Sequence, residues 1–324
     1  MIGYLGRRLV GLLPVLFAAA TIVWILMFLL PGDPARLIAG GQGADPEVIR
    51  AIRADWGLDR PAPVQFLAYL GRLLRGDLGI SYLQARPVAD IIGEHLLPTL
   101  VLAFAGTILA ALGGVALGCL AAARRGRLTD LLVLGASLVG TSAPVFWIGL
   151  LLIVLFASRL RWLPVAGYGL EGAILPGFGA RLPEWDHLVL PALTLALVSM
   201  GAIARVTRAA LLDNASAAFA TTARARGAGR LRVFLQHGLR NALVPVVTVL
   251  GLNLAGLLGG AVATEFVFAW PGLGKALVRA IALRDLPVVE GCVLMLTLVY
   301  VLASLAVDLL YPILDPRLDT RPSR

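Results

Sequence analysis

Long apolar blocks separated by short Arg-bearing or Gly- and Pro-bearing intervals make up almost the whole chain. Charge-free runs of the length that crosses a bilayer as a helix, about 17–25 residues, fall at 9–30, 96–123, 131–158, 188–204, 241–264 and 291–307. The pattern predicts an all-α polytopic membrane protein with six transmembrane helices. Arg7 and Arg8 precede the first run, and Ala18-Ala19-Ala20 within it imitates a cleavage site. The run continues through Trp24 and Phe28 to Leu30, too long for a signal h-region, and reads as an uncleaved anchor.

The intervals divide the chain further. Residues 1–8 form a short N-terminus, 9–30 the first span, 31–95 a loop with helical patterning around 46–56 and 64–74, 96–312 the core, and 313–324 a tail. The 31–95 loop is expected to be a small folded cap on the outer side. Residues 159–187, rich in Gly and Pro, read as irregular structure on the same side. Between 205 and 240, Leu211, Ala215, Ala218/Phe219, Thr222 and Arg226 recur at helical spacing. Gly227-Ala228-Gly229 breaks that helix, and Leu231, Phe234/Leu235 and Gly238/Leu239 resume it, with Arg232, Gln236 and Arg240 on another face. A narrow apolar stripe flanked by cations either lies on anionic lipid or docks in a partner's groove. Composition leaves both open.

Composition sets the class more firmly. The chain is 59% hydrophobic and 15% charged, with a mean hydropathy of +0.88, whereas soluble domains average about 45–50% apolar and about 25% charged. This composition argues against a soluble enzyme and against a disordered chain. The net charge of +9 comes from 27 Arg and Lys275 against 19 acids. It is split by apolar blocks, not gathered on a solvated face, so nucleic-acid binding is not expected. Sorted by loop, one side collects Arg7, Arg8, Arg124, Arg125, Arg127, seven Arg between 205 and 240, Arg317, Arg321 and Arg324. Only Asp130, Asp213, Asp315 and Asp319 oppose them. The positive-inside rule places both termini in the cytoplasm.

Catalytic signatures fail. Residues 269–276 contain a Gly-Lys pair but lack the first Gly and the Ser/Thr of a P-loop. The G-x-G-x-x-G at 167–172 lacks a preceding soluble strand and a following apolar helix. His95, His187 and His237 are isolated, and Cys119 and Cys292 lie in apolar runs without C-x-x-C spacing, so no metal site is expected. Ser142, Ser199, Asn253 and Thr297 are the polar groups within spans, suited to interhelical hydrogen bonds or a polar path. Glu265 and Asp308 are the ionisable groups nearest membrane depth and are expected near an interface, facing a cavity or paired with Arg. Gly114/Gly118 and Gly256/Gly260 offer small faces for close helix packing.

Several motifs then form an ordered series: Pro31-Gly32-Asp33-Pro34, Gly57-Leu58-Asp59-Arg60-Pro61, Gly76-Asp77-Leu78-Gly79, and Ser142-Ala143-Pro144-Val145-Phe146-Trp147. Thr222-Ala223-Arg224-Ala225-Arg226-Gly227, His237 through Pro245, Glu265 through Gly274, Asp308-Leu309-Leu310-Tyr311 and Leu314-Asp315-Pro316-Arg317 complete it. From about residue 1 to 318 the chain resembles the inner-membrane permease of dipeptide/oligopeptide ABC importers, first permease type. The resemblance implies a type I ABC importer permease fold with a periplasmic or extracellular cap after the first helix, in the bacterial plasma (inner) membrane.

The resemblance also makes 219–241 similar to the EAA loop, which couples to an ATPase. Thr221, Thr222 and Ala223 stand at its signature triplet, Gly227 at its glycine and Arg240 where sugar permeases tend to have proline. Ala218, Phe219 and Thr221 depart from the usual acid, Tyr and Arg. Phe219 is the expected apolar anchor, with Arg224, Arg226, Arg230 and His237 beside it. Ser142, Trp147, Asn253 and Glu265 are expected along the translocation path.

The implied partners are a second homologous permease subunit, one or two ABC ATPase subunits, a periplasmic or lipid-anchored substrate-binding protein and membrane lipid. No cofactor is expected on this chain, since ATP and magnesium would sit on the ATPases, and no enzymatic activity of its own. Peptides are the expected cargo, with nickel chelates or glutathione as alternatives on the same architecture. A stand-alone secondary transporter is the rival from another class, although no inverted repeat or mid-membrane charge supports it.

Overall fold

A charge-free block in lipid has no partner for its backbone N–H and C=O groups except its own helix. The computed structural model follows that rule. It describes residues 2–29, 35–36, 39, 43–169, 182–216, 222, 225–227, 229, 232, 234 and 238–314. Side chains at 2–10, 27, 55–56, 216, 240–241, 244, 252–258 and 308–314 lie outside that description. The helices are α1 (Ile2–Leu29), α2 (Pro46–Trp56), α3 (Ala62–Leu74), α4 (Val88–Ala123), α5 (Leu128–Ser142), α6 (Val145–Leu152), α7 (Trp185–Ser216), α8 (Arg240–Val267), α9 (Leu273–Leu283) and α10 (Leu286–Leu314). Among the described residues, an isolated antiparallel bridge between Ile80 and Pro87 is the one β feature.

The expected spans 96–123, 188–204, 241–264 and 291–307 each lie within one helix, and residues 9–29 of the first lie in α1. Among the described residues α4, α7 and α10 are long and apolar enough to cross a membrane, and α5 with α6 makes a fourth if the bent pair is one span. Here the structure differs from a straight 131–158 helix. The two halves meet at 112°, because Ala143 precedes Pro144 and takes an extended conformation, φ −77° and ψ 138°. The ring of a proline excludes its predecessor from the α region. Beyond α6 the helix widens into a π-helical stretch, Ile153–Arg159.

The chain divides into two compact units. One comprises residues 2–96 and 276–299, the other 97–275 with the chain from 300 onward.

In the first unit, Phe66 of α3 packs against Phe17 and Trp24 of α1, ring centroids 6.3 and 5.2 Å apart. The turn between α9 and α10 is pinned by Asp285. This carboxylate is buried and accepts from the Ser81 hydroxyl and, at 3.0 Å, from the Tyr82 amide. The Gly76–Gly79 motif sits just before that anchor, with both glycines at positive φ, 75° and 83°.

In the second unit, α7 is the central helix. Leu190, Ala192, Leu195, Ala196, Ile203, Ala204 and Leu211 are buried along its length. It packs against α5, α6 and α8. Helix α4 meets it through glycines. A Cβ at Gly114 would come within 2.6 Å of the Ile203 Cβ, and one at Gly118 within 2.6 Å of the Thr207 Cβ. The small face expected at 114 and 118 is thus where α4 and α7 touch. Gly260 faces Leu195 of α7, its would-be Cβ at 3.4 Å.

Candidate functional site

The two ends of the α7–α8 pair carry the features of interest. Helix α7 leads into the 217–239 segment, and α8 leads out of it toward Glu265. At about 1.5 Å per residue the 32 residues of α7 and 28 of α8 place the ends roughly 40–50 Å apart.

At one end Glu265 is fully buried. Its Oε1 accepts a hydrogen bond from the Thr99 hydroxyl at 2.7 Å, and its Oε2 accepts from the Lys275 amide at 3.0 Å. Thr99 Oγ1 in turn accepts from the Leu273 amide at 2.8 Å. Leu273 and Lys275 open α9, whose first amides lack intrahelical partners. The carboxylate and the hydroxyl therefore cap that helix, and its dipole favours the negative charge there. A carboxylate near membrane depth was expected to seek a cavity, an interface or an Arg. Its described partners are the Thr99 hydroxyl and the Lys275 amide.

The surrounding motif makes this closure fit. Trp270 is buried; its indole Nε1 donates to the Pro98 carbonyl at 3.0 Å and its amide to the Glu265 carbonyl at 2.8 Å. A Cβ on Gly272 would overlap the Glu265 carboxylate, and one on Gly274 would lie 2.6 Å from the Val262 Cα. The amide-rich turn that fails as a P-loop does bind an acceptor, the chain's own Glu265 carboxyl group. Tyr168 packs edge-on to Trp270 with centroids 4.6 Å apart. Burial pushes its phenol up to about 12. The Gly167 amide donates to the Phe268 carbonyl at 2.9 Å, tying this loop down.

His187 is less isolated than its sequence context suggests. It lies 4.0 Å from Glu184, and with Asp186 these residues bring one ligand-type atom each within 4.8 Å of one another. Asp186 is already engaged at the start of α7, accepting from the His187 amide at 2.9 Å.

At the other end, Thr222, Ala225, Arg226, Gly227, Gly229 and Arg232 are exposed. The Arg226 amide donates to the Thr222 carbonyl at 3.1 Å, and Gly227 leaves the helix at φ +84°. That left-handed conformation is open to Gly at no steric cost. Phe219, Thr221, Ala223, Arg224, Arg230 and His237 lie outside the described residues, as does the Arg240 side chain. Of the second half, Phe234 and Leu239 pack against a cluster with Ala122, Leu211 and Ala242. Asn214 Nδ2 donates to the Gly238 carbonyl at 3.1 Å and closes the base of the segment.

Just inside that base stands a pair that reading the sequence counted only as loose charges. Arg208 of α7 donates to Asp130 of α5 through Nε at 2.6 Å and the second guanidinium nitrogen at 2.7 Å. The Gly126 amide adds a third bond at 3.0 Å. A bidentate pair fixes orientation as well as distance, so the root of the segment is fastened to the α4–α5 hairpin.

The expected path residues differ in exposure. Ser142 is exposed at the end of α5, Trp147 is 47% exposed on α6 beyond the Pro144 bend, Glu265 is buried, and the Asn253 side chain lies outside the described residues. Thr297 is satisfied within its own helix, donating to the Val293 carbonyl at 2.8 Å.

Residues 114–320 match the family of binding-protein-dependent transport system inner membrane components, and residues 1–103 match the N-terminal region of such membrane components. The chain belongs to that family. It is a permease subunit of an ABC importer and not an enzyme. The glutathione transport system permease proteins GsiC of Escherichia coli (strain K12) and Salmonella typhimurium (strain LT2) are each 42% identical to this permease over 316 residues. Those alignments cover 98% of this chain and 98% of each relative. Among solved structures, a crystal structure of an amino acid ABC transporter with histidines aligns with TM-score 0.48 and 16% identity, over 71% of this chain and 95% of that one. Permeases of this family work in a bacterial membrane with a partner permease, an ATPase and a substrate-binding protein.

Proposed function

We propose that this permease imports small peptides, with glutathione the first to test, and forms half of the pathway beside a second, homologous permease subunit. The likeness to GsiC over nearly the full length of both chains supports that cargo class. One or two ATPase subunits dock on the segment 219–241, with Phe219 as the apolar anchor in their groove. Thr221, Thr222, Ala223, Arg224, Arg226, Gly227, Arg230, His237 and Arg240 contribute to or shape the same surface. A substrate-binding protein, periplasmic or lipid-anchored, delivers cargo from the other side.

The observation that carries the coupling reading is the exposed turn at Arg226–Gly227 standing between two long helices packed along each other. A partner can shift a two-state body only through differential affinity for its states, and rigid helices transmit such a bias over distance. Displacing the turn displaces the roots of α7 and α8, and the Arg208–Asp130 pair carries α5 with them. Ser142, Trp147, Asn253 and Glu265 remain proposed path residues, Ser142 and Trp147 flanking the bend.

Both termini lie in the cytoplasm in this reading. The bent α5–α6 pair then crosses once. Were it to turn back, the three Arg at 124–127 and the seven between 205 and 240 would face opposite sides, against the positive-inside bias.

Proteoliposomes holding both permeases, the ATPases and the binding protein, given labelled glutathione and dipeptides, test the proposal. ATP-dependent uptake is expected, abolished together with ATPase co-purification by Phe219→Ala. Uptake that persists without the ATPases would mean a stand-alone transporter.

A further inference from the structure

Helix α3 lies in the loop read from sequence as an outer cap, yet its surface is wrong for water. Of its 13 residues only Gln65 and Arg72 have strongly polar side chains. Gln65 is turned back on the chain, its Nε2 donating to the Leu58 and Arg60 carbonyls at 3.0 and 2.8 Å. One face, carrying Phe66 and the buried Tyr69, packs inward. The other presents Val64, Leu67 and Leu74, exposed by 42, 66 and 90%. The 64, 67, 68, 71, 74 spacing makes that a continuous stripe with Ala68 and Gly71. A helix apolar on both faces needs an apolar medium on the side its own chain does not cover. The neighbouring α2 differs, with Glu47, Arg50 and Arg53 exposed.

What covers the stripe follows from where α3 is attached. Phe66 touches Phe17 and Trp24, residues of the first span. At about 1.5 Å per residue these lie roughly 18 and 8 Å below the Leu29 end of α1. Contact at that level is inside the hydrocarbon, whose full thickness is about 30 Å. Exposed Phe17, Ile22 and Ile25 of α1 face the same medium. At about 20 Å long α3 is too short to cross. Arg60 before it and Arg72 and Arg75 at its end can reach headgroup phosphates while their stems stay in apolar surroundings.

We infer that α3 is embedded in one leaflet of the membrane, its Val64–Leu67–Leu74 face against acyl chains, so that part of the 31–95 segment is a membrane element and not a water-facing cap. The inference does not depend on the coupling segment or the cargo.

The test uses the permease in its complete transporter, reconstituted in bilayers, with nitroxides on Leu67→Cys and Leu74→Cys in a background with Cys119 and Cys292 replaced. Ile22→Cys on α1 provides a lipid reference and Val48→Cys on α2 a water reference. The α3 positions should match the lipid reference, with high collision rates for oxygen and low rates for a water-soluble nickel chelate. High chelate accessibility would overturn the inference in favour of solvent. Low accessibility to both would overturn it in favour of a covering protein subunit. Should a cysteine variant fail to assemble, the unmodified chain reconstituted with lipids bearing an acyl-chain diazirine gives the same decision. Adducts in the peptide containing 62–74 support the leaflet position, and their absence while α1 is labelled contradicts it.

Discussion

The knot at Glu265–Lys275 and the turn at Thr222–Gly229 occupy opposite ends of the same two helices and are built on opposite principles. At the knot, the described buried donors and acceptors of Glu265, Thr99 and Trp270 are answered within the chain, and aromatic rings seal the result. At the turn, the chain exposes Arg226 and bends at a glycine with nothing within 4 Å of its would-be Cβ. One end is closed by its own residues; at the other the described residues are exposed, as the proposed coupling requires. A lever needs both, a body stiff enough to turn as a unit and a free end to be pushed.

Substitutions should separate the two ends. Trp270→Ala removes a buried ring and its bond to Pro98, and large-to-small changes of that kind cost about 3–5 kcal/mol. The thermal midpoint of the purified permease should fall steeply, and uptake with it. Glu265→Ala leaves the Thr99 hydroxyl and the Lys275 amide without an acceptor, at about 1–3 kcal/mol for each orphaned group. Glu265→Gln keeps one acceptor oxygen and should recover part of the loss. Equal midpoints for Ala and Gln would mean that the cap is not what holds the knot. Gly227→Val forces a β-branched residue into a left-handed conformation, at about 1–2 kcal/mol. Its midpoint should move little while ATP-dependent uptake collapses. Arg226→Glu is the mildest: no measurable change in midpoint, but ATPase affinity weaker by about tenfold, ~1.4 kcal/mol. If turn variants destabilise the chain as much as knot variants do, the contrast fails.

How far the sequence reaches follows the same division. The long apolar helices were legible because a charge-free run of sufficient length has one stable conformation in lipid. Gly114 and Gly118 were legible as a packing face, since small residues four apart on a helix admit a close neighbour. The bend at Pro144 was not read, although its signal stood in Ser142-Ala143-Pro144: a residue before proline ends a helix more often than it continues one. The roles of Glu265 and Arg208 could not be read. Thr99 and Asp130 stand 166 and 78 residues from them, and nothing local marks either pairing. Likewise the apolar spacing in 64–74 was visible as a helix, whereas the leaflet position we infer for it rests on which rings it meets.

The most direct test of the lever account asks whether the free end is covered by a partner. In a chain lacking Cys119 and Cys292, Arg226→Cys is labelled with a water-soluble maleimide, first on the permease pair alone and then with the ATPase subunits bound. The account predicts rapid labelling alone and strong protection in the complex, with Val48→Cys labelled equally in both. Equal labelling of position 226 with and without the ATPases would contradict it.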